Sequence, residues 1–109
     1  MINIFQTNYE TRLRIWYDLR QQLQNADLQT KCVEIDKFWQ AVPLVTHHLH
    51  PQDIHNWPDP WVLISENTYC EIARGLGIVY TLLLLDTKDV DFCLAVNDIS
   101  EDVAIVLVD

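Results

Sequence analysis

Basic residues are scarce in this chain, and its second half has almost none. Positions 1–50 balance five acidic side chains with five basic ones, whereas positions 51–109 set eleven acids against Arg74 and Lys88, so the whole formal charge of −9 arises there. Phosphate backbones and anionic lipid are repelled by such a surface, because association with either depends on Lys and Arg displacing counterions. Nucleic acid and membrane are therefore not expected as partners. The acidic half either keeps the chain soluble, which is the commoner case, or meets a basic protein.

Other absences narrow the possibilities further. The three cysteines, Cys32, Cys70 and Cys93, lie far apart and form no CxxC pair, so neither a disulfide framework nor a thiolate metal site is encoded. The longest apolar run, IVYTLLLL at 78–85, is too short to span a bilayer. The opening MINIFQTNYE lacks the basic stretch and long apolar run of a secretory signal, so a reducing cytoplasm is the expected location. Gly75 and Gly77 complete neither GxGxxG nor GxxxxGK[ST], and Ser65 and Ser100 have no nucleophile context. No cofactor is expected.

Half of the 109 residues are apolar and 21% are charged, a balance that favours a folded, single domain over positions 1–109. Tyr9, Leu13, Trp16, Tyr17 and Leu23 recur in steps of three and four, predicting a helix from about Asn8 to Gln24. Asp27 is placed to cap a second helix whose stripe is Leu28, Cys32, Ile35, Trp39 and Val42, ended by Pro43; the two should form an antiparallel hairpin. Short helical turns punctuated by Pro51 and Pro60 follow, the latter capped by Asp59. A helix across SENTYCEIARGLG, capped by Ser65 or Asn67 or continuing its predecessor, should stop at Gly77. IVYTLLLL, VDFCLAV and DVAIVLVD then read as three antiparallel strands separated by turn formers. The expected class is α+β, helical to residue 77 and sheet over 78–109. Both faces of so apolar a sheet should be covered. The chain also stops inside its last strand, leaving an edge that either pairs with something or is continued in a longer protein.

Chemistry has few places to reside. VTHHLHPQDIHNWPDPW (45–61) holds all four histidines, three of the four prolines and two of the four tryptophans. His47, His50 and Asp53 have spacings that converge on a helix, and they are the set a metal would use. Pro51, however, disfavours a helical His50, and no HExxH or CxxC accompanies them. The favoured role is structural, with imidazoles bonding backbone groups that the prolines leave free. Cys70, at the start of a helix, sits where a thiolate is stabilised. A cysteine on a helix followed by three antiparallel strands resembles the transglutaminase and papain-like arrangement, which implies a histidine on the next strand and an acid on the one after. No histidine follows Cys70, so a base would come from upstream, with His50 and His55 as the candidates. A buried, inert thiol is the favoured alternative.

Trp39, Trp57 and Trp61 bracket the proline-rich link and are expected to pin it to the core, unless one is exposed as an interface anchor. Trp57 and Trp61, with the acidic Asp98, Glu101 and Asp102, are the candidate binding residues.

FWQAVPLVTHHLHPQDIHNWPDPWVLISENTYCEIARGLGIVYTLLLL, residues 38–85, resembles a stretch found in small proteins of T-even-like tailed phages, particularly those of marine and cyanobacterial hosts. The resemblance implies a protein made in the infected cell's cytoplasm, free or incorporated in the virion, and relatives that extend beyond the final strand. It implies no activity for particular residues. The resulting expectation is a non-enzymatic, acidic protein that docks on another protein or on itself. A Cys70-dependent enzyme and a histidine-ligated metal protein are the alternatives.

Overall fold

Short polar side chains start three of the helices. Asn8 Oδ1 accepts the Thr11 amide at 2.9 Å, Asp27 Oδ1 the Thr30 amide at 2.7 Å and Asp59 Oδ1 the Val62 amide at 2.8 Å, each satisfying a donor that the first helical turn leaves free. The helices they open are α1 (Tyr9–Leu23), α2 (Leu28–Gln40) and α3 (Pro60–Glu66), the last with Pro60 in its first turn. The computed structural model describes residues 3–46, 48–96 and 102–108. It adds single 3-10 turns at Ile4–Gln6 and Ile54–Asn56, a long helix α4 (Glu71–Leu84) and two strands, β1 (Val90–Val96) and β2 (Asp102–Val108). The class is α+β.

The first of the three expected strands is instead the second half of α4. Gly77 does not end the helix; it lies inside it, because a Cβ there would come within 2.6 Å of the Trp39 indole. IVYTLLLL looks strand-like because α4 is enclosed on most sides and so lacks the polar stripe that marks a surface helix. Ile72, Ala73, Leu76, Val79 and Leu82 are all buried, at helical spacing. Asn67 also has a different task from the one its sequence suggests. It ends α3 in the left-handed conformation (φ 53°), its side chain donates to the Phe5 carbonyl at 2.7 Å, and α4 starts afresh from Cys70.

β1 and β2 pair antiparallel in a register that sets Val90 opposite Val108 and Cys93 opposite Ile105. Phe92 and Leu94 on β1, with Ala104, Val106 and Val108 on β2, are partly buried and alternate with exposed Asp91, Cys93, Ile105 and Leu107. The sheet is thus covered on one face, by α4, and not on both. α4 also takes α2 on another side, while α1 lies nearer to α3 than to α2. The expected helical hairpin is therefore loose. Across it the Trp16 and Trp39 rings lie edge to face, with centroids 6.2 Å apart.

The centre of the core is a polar knot. Trp16 Nε1 and Trp39 Nε1 each donate to Thr81 Oγ1 at 3.0 Å, and the Thr81 hydroxyl donates to the Gly77 carbonyl at 2.6 Å. One hydroxyl thereby uses its hydrogen and both lone pairs. All three side chains are sealed from solvent. Near the surface, buried Arg12 ties three carbonyls together: its guanidinium donates to Thr7, to Ile64 at 3.1 Å and to Ser65 at 3.3 Å. The last two belong to the final turn of α3, where a cation is favoured by the helix dipole.

Candidate functional site

The histidine-rich link forms no ligand cluster among the described residues, and His47 of the proposed metal set lies outside them. His50 is exposed, and its carbonyl accepts the Trp57 indole at 2.8 Å. Asp53 spends both carboxylate oxygens on the Asn56 side-chain amide, each at 2.9 Å, folding the 3-10 turn that contains His55. Among the described residues, His48 is the imidazole with an acidic neighbour: its Nε2 stands 3.7 Å from Glu66 Oε2. That pairing joins two segments far apart in sequence, so spacing alone gave no signal of it.

Cys70 is only 4% exposed and belongs to the core cluster. Its sulfur accepts the Leu49 amide at 3.4 Å, an arrangement set up where Val45 N–H bonds the Tyr69 carbonyl at 2.8 Å and the chain runs alongside. Neither His50 nor His55 bonds the sulfur. The helix after Cys70 does not stop at Gly77 but runs for 14 residues. The thiol is enclosed, and the sequence after it contains no histidine.

The tryptophans divide between core and surface. Trp57 is half-buried, its ring edge-on to Phe92 at 6.0 Å, so it fastens the link to the β-hairpin. Trp61 remains 46% exposed, packed against Trp16 at 5.6 Å. Beside it the Arg20 guanidinium lies 4.5 Å from the Trp16 ring, 5.7 Å from Tyr17 and 5.8 Å from Trp61. Burial against these rings lowers the Arg20 pKa, an effect partly opposed by Tyr17, and an arginine remains charged under any such shift. Of the acidic candidates, Asp102 opens β2 opposite Val96, whereas Asp98 and Glu101 lie outside the described residues.

The feature with the most capacity for recognition was not foreseen. A cleft of about 280 Å³ runs between α2 and β2 over the back of α4. One wall is Ala104, Val106 and Val108 of β2; the other is Cys32, Asp36 and Gln40 of α2, spaced four apart and so in line along that helix. The floor is Gly75, Ile78 and Leu82 of α4, with Glu71 and Arg74 at one end. Arg74 grips Glu71 through both carboxylate oxygens, at 2.9 and 2.8 Å, and reaches Gln40 at 3.2 Å. At Gly75 the hairpin closes onto α4, since a Cβ there would fall 2.5 Å from Phe92 and 2.8 Å from Ala104. Along the cleft, β2 presents backbone groups that have no strand partner among the described residues. A wider hollow of about 530 Å³ between the first 3-10 turn, α1 and α2 is lined by Ile4, Leu19 and Phe38, but it lies between helices and offers no strand edge.

No helix among the described residues is long and apolar enough to cross a membrane. Comparison with known protein families, with curated proteins and with solved structures found no match, so what can be said of this chain's role rests on its own residues and geometry.

Proposed function

We propose that this chain is a non-enzymatic, acidic interaction protein that works by receiving another protein. The observation that carries this reading is the cleft bordered by the unpaired edge of β2: backbone donors and acceptors in a row, beside an apolar floor, are what strand-adding partners use. Two further surfaces support it. Ile105 and Leu107 are exposed on the outer face of the hairpin, and Trp61, Tyr17 and Arg20 bring together residue types that dominate the energetics of interfaces. The net charge of −9 gives such binding a preferred sign. In the setting that the resemblance to tailed-phage proteins implies, the chain acts in the host cytoplasm and docks on a host or virion protein.

The test is affinity capture from host and infected-cell lysate with the wild type and with Ile105→Lys/Leu107→Lys, which charges the outer face of the hairpin without entering the core. Specific partners held by the wild type and lost from the variant are expected. Capture of no specific partner by wild type or variant would overturn the reading.

A further inference from the structure

The binding role leaves open what fills the cleft. Building on that role, we propose that the cleft takes an extended, basic polypeptide segment, which adds to β2 as a third strand and lies across α4. From Val103 to Val108 the edge strand has no charge, proline or glycine, the devices by which exposed edges are ordinarily protected from pairing. Beside Ile78 and Leu82 the cleft of about 280 Å³ has room for every second side chain of an incoming strand, so these should be small or branched and apolar. The alternate positions meet the wall of α2. There Asp36 is exposed and accepts a hydrogen bond from the neutral Gln40 amide at 3.0 Å, whereas Glu71 is already neutralised by Arg74. A lysine or arginine of the segment would supply the counter-charge that no described residue gives Asp36.

Charge also decides between this occupant and a second copy. Each copy bears −9, carried by the half that contains β2, so pairing edge to edge would set two acidic halves together; a basic segment relieves the same field.

The experiment titrates isotope-labelled protein with the synthetic peptide acetyl-KVTVKVTVK-amide, its acidic counterpart acetyl-EVTVEVTVE-amide and a basic peptide with proline at its centre, following backbone amides by NMR. The basic peptide should perturb the amides of residues 103–108 and slow their hydrogen exchange, and the proline peptide should not. Asp36→Lys, at an exposed helical position, should weaken the basic peptide about five- to tenfold, the cost of turning an exposed attraction into a repulsion. Equal binding of both charged peptides, perturbations confined to residues away from β2, or a peptide-free dimer joined through β2 in sedimentation would each overturn the proposal. If lysate partners are still lost from the Ile105→Lys/Leu107→Lys variant while the basic peptide fails to bind, the occupant is wrong and the binding role stands.

Discussion

Replacing Thr81 by valine should be among the most damaging conservative changes in this chain. Valine matches threonine in shape, so the core is neither emptied nor overfilled; what changes is that the Trp16 and Trp39 indoles lose the oxygen on which both depend, each at 3.0 Å. A buried donor left without a partner costs about 1–3 kcal/mol, so two cost roughly 2–6 kcal/mol. The Gly77 carbonyl loses the hydroxyl but keeps its helical amide, and adds little. A domain of this size has a total stability of about 5–15 kcal/mol, so the variant should stand near the edge of folding. Urea unfolding followed by tryptophan fluorescence should show the midpoint lowered by about 1–3 M, given a slope of about 2 kcal/mol per molar for a small protein. Thr81→Ser keeps the oxygen and loses one buried methyl, for about 1 kcal/mol. A valine variant within about 0.5 kcal/mol of wild type, or a serine variant equally damaged, would refute the assignment of the hydroxyl as the shared acceptor.

Other side chains give equally definite outcomes. Gly75→Ala should displace the hairpin, because the new methyl would meet Phe92 and Ala104 at under 3 Å; overpacking of this kind costs about 1–3 kcal/mol, and near-ultraviolet circular dichroism together with denaturation would detect it. Among the thiols, exposed Cys93 should alkylate first, Cys32 more slowly and Cys70 only on unfolding; rapid, selective modification of Cys70 in the native protein, read by mass spectrometry, would revive the enzyme reading. Burial raises the Tyr69 phenol well above its ordinary 10.0, with Arg12 only partly opposing it, and raises Tyr80, with Asp59 adding to the effect. Both phenols favour the neutral form when folded, so their contribution to stability is complete below pH 10 and is lost as pH climbs through the elevated folded values. Tyr69→Phe should widen the alkaline range in pH-dependent unfolding and cost little at neutral pH, since that hydroxyl has no hydrogen-bond partner among the described residues.

What could be read from the residues was mostly local chemistry. Asp27 and the Asp59–Pro60 pair announce helix starts because a cap is a matter of one side chain and the amides two or three positions on. The stripes of α1 and α2 are legible because each faces water on one side. α4 loses that contrast by being enclosed, and its glycine, which in isolation signals a stop, is there to let an indole approach. The alternation of β1 and β2 is hidden for a related reason: Ile105 and Leu107 are apolar although they face outward, so the exposed face looks like a second buried one. The cleft was illegible in a stronger sense. Its walls come from residues 32–40, 71–82 and 104–108, and the strand edge that borders it is main chain, which leaves no mark in the identity of the side chains.

Gly75 and Gly77 stand two residues apart on α4, and at 3.6 residues per turn they look out from nearly opposite sides of it. Each is a notch, one filled by the hairpin and the other by the ring from α2, so the helix is as thin as a polypeptide can be where these two layers approach. The separation of hairpin and α2 is therefore set by the bare backbone of α4 between the Phe92 ring and the Trp39 indole, and any side chain added at either notch wedges the two layers apart.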